Sequence, residues 1–351
     1  MKRQLLGVAA FMLALSAHAQ DNPLWMRYCA ISPDGTSIAF TYKGDIYTVP
    51  VNGGKAAQIT TNAAHDTHPV WSPDGKQIAF ASDRMGSMDI FVVDREGGIP
   101  KRLTTHSGNE TPVAFKDADH ILFLANVMPS AEDAQFPSGQ FQQVYEVSTT
   151  GDRPVMFSSM PMEDISINKT GNALLYHDKK GYEDPWRKHH TSSITRDIWL
   201  CSLDGKRSYR KLTSFNGEDR TPVWASDGKS FYYLSEEKGS FNVFKRALDG
   251  TSSTQLTHHT KHPVRFLTAA DNGTLCYGYD GEIYTMKEGT EPRKVQISIL
   301  TDKNDKDLIR QIRRNGATEI ALSPDAKEVA FILRGDVYVT SVEYKTTKQI
   351  T

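Results

Sequence analysis

The sequence carries almost no net charge: 41 Lys and Arg stand against 42 Asp and Glu, a balance of −1. It therefore has no basic field for phosphates, and nucleic acid is not an expected partner. Past the first 19 residues no apolar stretch approaches the roughly 20 residues that a bilayer-spanning helix needs, so no membrane span is expected. Nucleophile signatures are missing as well. The chain has no G-x-S-x-G elbow, no H-E-x-x-H, no phosphate-binding glycine loop and no cysteine beside a plausible base. Catalysis within this chain is not expected, and neither a cofactor nor a resident metal is implied. Cysteine is scarce too: Cys29, Cys201 and Cys276 fall in strands of three different repeat copies, and an odd count spread in this way points to free, buried thiols.

What is present begins with an export signature. Lys2 and Arg3 precede an apolar run from Leu5 to Leu15, and Ala17-His18-Ala19 before Gln20 forms an A-x-A cleavage site. Residues 1–19 read as a signal peptide, which places the mature protein in the periplasm or outside the cell. A repeat occupies the remainder. Trp71-Ser72-Pro73-Asp74-Gly75 leads to Ile78-Ala79-Phe80, then Asp89-Ile90-Phe91 and Arg102-Leu103-Thr104. The same order recurs from Ile31-Ser32-Pro33-Asp34-Gly35 and from Leu322-Ser323-Pro324-Asp325-Ala326, with weaker copies between, and seven copies can be traced. A repeat of roughly 40–55 residues holding several short strands is the pattern of an all-β fold, a β-propeller with one four-stranded antiparallel blade per copy.

Turn chemistry orders the strands. Strand a ends at Ser-Pro-Asp-Gly, strand b is the Ile-Ala-Phe run, strand c opens on an acidic or amide residue, and strand d follows an Asn-Gly, Asp-Gly or Glu-Gly turn. In such a meander the a–b and c–d turns share one face, and the b–c and d–a loops share the other. The long insertions, residues 126–143 and 178–196 between strands b and c and about 298–317 after copy six, all fall on the second face, which is therefore the expected working face. Residues 298–317 read as a charged linker with one short helix around Leu308, Ile309 and Ile312. Two closures stay open: a six-bladed ring over 20–297 with residues 318–351 opening a second propeller, towards which the linker inclines the reading, or one seven-bladed ring. Residues 20–24 are too few to lend an outer strand to the last blade, so closure is expected to rest on side-chain packing, with no strand exchanged between the ends.

Candidate binding residues cluster in the d–a loops, just before the innermost strand. His65, His68, His106, His258, His259 and His262 sit where they could ring one mouth of the channel, as contacts for a peptide or solute. Their spacing matches no closed metal site. Gly181 to His190 adds Trp186, Arg187 and Lys188, an aromatic and basic set suited to gripping a peptide or a partner surface. The acids opening strand c, Asp45, Asp89, Asp197 and Asp336, recur once per blade, so they cannot converge on one substrate; a structural role accepting backbone N–H bonds is expected.

The opening Leu24-Trp25-Met26-Arg27-Tyr28-Cys29-Ala30-Ile31-Ser32-Pro33-Asp34-Gly35, the Tyr42-Lys43-Gly44-Asp45-Ile46-Tyr47 strand and the Ser72 to Arg84 copy resemble the amino-terminal region of exported bacterial tricorn-like serine peptidases. The likeness spans essentially all of residues 24–351. Cys29 stands where proline is expected. The resemblance implies a six-bladed propeller followed by a seven-bladed one, a PDZ module and a catalytic domain of the S41 type. The serine nucleophile would then lie beyond Thr351, and this region would guide or sieve peptides and dock the downstream domains; homo-oligomerisation is left open. Two other classes share the repeat. A TolB-like periplasmic binding propeller would carry an α/β domain before copy one, and a prolyl-oligopeptidase-like enzyme would continue into an α/β-hydrolase domain.

Overall fold

The computed structural model describes residues 23–126, 141–181, 191–300, 312–344 and 346–351. Residues 1–19 lie outside them. All regular elements among the described residues are strands, and all but Ile297–Ile299 are arranged as seven antiparallel four-stranded meanders. Blade 2 illustrates the rule, with strands Asp66–Trp71, Gln77–Ser82, Asp89–Asp94 and Lys101–Arg102. Its two middle strands are almost wholly buried, from Ile78 to Ala81 and from Ile90 to Val93. A blade has a neighbour on each face, so strands b and c are apolar in a continuous run and do not alternate.

Local chemistry sets the ends of each strand. In the Ser-Pro-Asp-Gly turn, the Ser72 hydroxyl donates to Asp74 (2.7 Å) and accepts the Gln77 N–H (2.9 Å), while Asp74 accepts the Lys76 N–H (3.1 Å). Ser323 and Asp325 repeat these bonds near the other end of the chain. A second device is the threonine that follows strand d. The hydroxyls of Thr60, Thr104, Thr213, Thr257 and Thr351 accept the strand-c N–H groups of Ile46, Ile90, Ile198, Val243 and Val337, each at 2.9 Å. Within the ring the Leu-Thr or Ile-Thr pair thus has two jobs: Ile59, Leu103, Leu212 and Leu256 fill the gaps between blades and the threonines tie strand d to strand c.

Six sheets close a ring. Each pair of neighbouring blades shares one apolar cluster, and the cluster that completes the circle joins Met26, Ile31 and Phe40 of blade 1 to Ala270, Ile283 and Val295 of blade 6. The innermost strands are Arg27–Ile31, Asp66–Trp71, Glu110–Phe115, Met162–Ile167, Asp219–Trp224 and Arg265–Ala269. Indole N–H groups bridge two of these joints: Trp71 donates to the Ala30 carbonyl and Trp224 to the Ser166 carbonyl, both at 2.9 Å.

Closure differs from expectation in one respect. After blade 6 the chain continues as a strand, Ile297–Ile299, that pairs in parallel with the outer strand of blade 1, Gly54–Gln58. A strand is therefore exchanged at the seam after all, lent by the end of the ring to its beginning. The physical reason is the free edge of blade 1, whose unpaired backbone groups gain partners once the exiting chain runs alongside. The short helix expected in the linker falls largely outside the described residues, and residues 312–316 are not helical.

The seventh sheet stands outside the ring. Its strands are Ala317–Leu322, Glu328–Leu333, Asp336–Ser341 and Thr347–Gln349. It rests on blade 1 through the Arg27–Glu319 ion pair (2.7 Å) and a bond from Arg334 to the Ala63 carbonyl (2.8 Å). Ile320 and Leu322 are 73% and 60% exposed, so the face that would meet another blade is open among the described residues.

Candidate functional site in the propeller channel

The six innermost strands surround a cavity of 1050 Å³. Its shape depends on a defect that the blades repeat. In blades 1, 2, 4, 5 and 6 the pairing of strands a and b slips near the start of strand a. The residue at each slip adopts a left-handed backbone: Tyr28 (φ 51°), His68 (54°), Asp164 (48°), Thr221 (48°) and Phe266 (57°). None is glycine. A non-glycine residue in this region costs on the order of 1–2 kcal/mol, and a β-bulge re-aims its side chain. All five residues line the channel. Blade 3 slips as well, between Pro112 and Ala114, but without a left-handed residue: its proline stands one position earlier, Glu110-Thr111-Pro112 against Asp66-Thr67-His68-Pro69 and Asp219-Arg220-Thr221-Pro222.

The collar has two chemically different sides. Across blades 6, 1 and 2, Phe266, Tyr28 and His68 form an aromatic row, with ring centroids 4.8 Å apart for the first pair and 3.7 Å for the second. Burial pushes His68 down to about 4, helped by His65, so its ring is neutral at pH 7 and packs as an aromatic. Its Nδ1 lies 3.1 Å from the Thr67 hydroxyl.

Blades 4 and 5 supply charge. Asp164 accepts the Thr221 hydroxyl at 2.6 Å and lies 3.5 Å from Nδ1 of His177. Glu163 accepts from Lys179 (2.7 Å) and Arg196 (3.4 Å) and lies 3.2 Å from Nε2 of His177. Burial works to raise the Glu163 pKa, but His177, Lys179 and Arg196 together outweigh it and hold the carboxyl well below its ordinary range. Arg196 and Arg220 both grip Glu218. In ring order blade 4 faces blade 1, so a group in the channel meets carboxylate and hydroxyl on one side and aromatic faces on the other.

Of the histidines marked in the sequence, only His68 lines this channel. His65 sits beside Gly44, under the contact with the seventh sheet. His106 accepts the Gly108 N–H at 2.9 Å within its own loop, and His258 is exposed. His262 lies 3.2 Å from Asp280, and His259 stacks on Tyr279 at 3.8 Å. They are dispersed, and no group of three metal-ligating side chains forms among the described residues. Trp186, Arg187 and Lys188 lie outside the described residues. The acids opening strand c are structural, though their partners are side chains of strand d and of the b–c loop: Asp45 accepts from Gln58 (3.1 Å), Asp89 pairs with Arg102 (2.8 Å) and Asp197 with Lys211 (2.8 Å) and Lys180 (2.5 Å). Sequence reasoning missed Tyr28, Asp164, His177 and Phe266, although the extra residue before proline in copies two and five marks the bulge position.

Comparison with known proteins agrees with this architecture. The family described as "Tricorn protease N-terminal beta propeller domain" matches residues 23–292. Tricorn protease homolog 1 of Streptomyces coelicolor is 25% identical over 279 residues, covering 79% of this chain and 25% of the relative. The tricorn protease of Thermoplasma acidophilum is 25% identical over 332 residues, covering 91% of this chain and 29% of the relative. A crystal structure of the tricorn protease superposes with a TM-score of 0.66 at 19% identity, covering 93% of this chain and 31% of that one. This chain thus spans roughly a quarter to a third of these relatives. With a six-bladed ring built from the repeat and a family match over most of its length, the chain belongs to the tricorn protease N-terminal β-propeller family.

Proposed function

We propose that this propeller is a non-catalytic part of an exported tricorn-like serine peptidase of the S41 type, and that its channel admits an extended peptide segment as a guide or sieve. The observation that carries the reading is the bulge collar: five left-handed residues, each strained, direct their side chains into one channel. Strain of that kind persists where the surroundings enforce it, and it concentrates where side chains must be aimed. An aromatic row facing a carboxylate and hydroxyl side suits a chain that offers apolar side chains and backbone N–H groups together. The open face of the seventh sheet supports docking of further propeller or peptidase domains.

The test is peptide binding to the purified full chain. A library of fluorescent peptides should bind with affinity that falls about tenfold in Tyr28→Ala and Phe266→Ala, the loss typical of one aromatic anchor. Photo-crosslinks should map to the channel and the b–c face. Crosslinks confined to Asn52, Gly97, Gly205 and Gly250 would place the contact on the opposite face and defeat the reading. Export is tested separately: the secreted product should begin at Gln20.

A further inference from the structure

We propose that Cys29 and Cys276 form a thiol pair at the seam of the ring, one that a disulfide can join so that blade 1 and blade 6 become covalently linked. The two residues are far apart in sequence, in the first and the sixth copies, and meet only because the ring closes. Strand a of blade 1 lies against strands a and b of blade 6. Cys29 and Cys276 are 2% and 0% exposed and belong to the same apolar cluster, with Ile31, Phe40 and Ile283 around them. Cys276 stands opposite Thr268 in the ladder of blade 6, and burial, helped by the neighbouring Cys29 thiol, raises its pKa. Thr268 also accepts the Ile31 N–H at 3.1 Å, and the Cys29 thiol reaches the Phe266 carbonyl at 3.5 Å, so the pair sits within the bonds that tie the two inner strands together. Cys201 is buried in another cluster, between blades 3 and 4, with no thiol in its cluster.

The chemistry is thiol–disulfide exchange with an external low-molecular-weight disulfide. One cysteine loses its proton and attacks a sulfur of the reagent, forming a mixed disulfide and expelling one thiol. The second cysteine then loses its proton, attacks the protein sulfur of that mixed disulfide and expels the second thiol. Two electrons and two protons pass from the cysteines to the reagent. In the closed ring burial holds Cys276 as the thiol, well above its ordinary pKa, so exchange is slow there and proceeds while the seam is open, during folding or breathing. A bond at this point closes a loop that spans nearly the whole ring, the case in which the unfolded chain is constrained most.

The test uses the full chain, reduced and then refolded with oxidised glutathione as the probe. The expected product has lost two hydrogens, keeps one alkylatable thiol and yields a crosslinked peptide containing Cys29 and Cys276. Its Tm should exceed that of the reduced protein by about 5 °C or more. Cys201→Ser should leave crosslink and shift intact, whereas Cys29→Ala and Cys276→Ala should each abolish them. Because the wild-type crosslink is read directly, the result does not depend on whether those variants fold. Three alkylatable thiols after oxidative refolding, stable single glutathionylation, or a crosslink through Cys201 would overturn the proposal.

Discussion

The Gly54 N–H donates to the Gln296 carbonyl at 2.8 Å, and the same oxygen lies only 2.5 Å from where a Cβ on Gly53 would stand. This contact opens the parallel pairing that seals the ring, and Gly53 holds it with a φ of 90°. Gly53→Ala should meet a clash and a left-handed penalty together. We expect a loss of roughly 1–3 kcal/mol in stability and faster hydrogen exchange at Ile297–Ile299. A variant as stable as the parent, with unchanged exchange, would show that the strand contributes nothing to closure.

Thr104 makes a comparable prediction inside a blade. Its hydroxyl accepts the N–H of buried Ile90, and Thr104 is itself 1% exposed. Thr104→Val keeps the shape and leaves that N–H without its acceptor. The expected cost is about 1–2 kcal/mol, read as a shift in denaturant midpoint at constant slope. Thr104→Ser, which retains the hydroxyl, should lose less.

Buried carboxyls give pH dependences of opposite sign. Burial raises Asp219 to about 7 in the folded protein, against hydrogen bonds from Ser235 and Thr213 and with help from Asp197. Between its ordinary value of 3.8 and 7 the folded state binds the extra proton, so this group's contribution to stability falls as pH rises through that window. Asp219→Asn should therefore stabilise by about 1–3 kcal/mol at pH 8 and have little effect near pH 4. Glu163 behaves in reverse. Its pKa is depressed, so its contribution is present above the unfolded value and is lost on acidification. Glu163→Gln should cost about 2–4 kcal/mol at pH 7, since it removes the negative charge that Lys179 and Arg196 share. Parallel pH profiles for the two variants would refute the assignment.

Ring closure over six blades predicts the behaviour of a shortened chain. A chain cut after Leu300 keeps every inter-blade cluster and the sealing strand, and should unfold in one cooperative step. Cutting after Gln296 removes Ile297, a 2%-exposed member of the seam cluster, and should lower the Tm. If the chain cut after Leu300 is molten while the full chain is cooperative, the seventh sheet is needed for closure and the ring is not self-sufficient.

Much of the fold was legible before any coordinates. The Ser-Pro-Asp-Gly turns, the continuous apolar runs of strands b and c and the recurring Leu-Thr pair are local rules, each set by hydrogen bonds and φ preferences within a few residues, so they determine the blade and its meander. The left-handed position was also marked in the sequence of copies two and five, by the residue inserted before Pro69 and Pro222; copy three, whose proline comes one position earlier, slips without a left-handed residue. Three things were decided only by the tertiary structure. Blade 1 accepts a parallel strand from residues 297–299 because its free edge and the exiting chain meet in space, a contact that no local pattern encodes. Phe266, Tyr28 and His68 meet because three separate bulges converge on one axis, whereas His65, His106, His258 and His262, which look equivalent in sequence, end in loops around the rim. Cys29 and Cys276 share one apolar cluster because the circle closes, and closure depends on the summed rotation of six packed blades, a global quantity that local residue preferences do not specify.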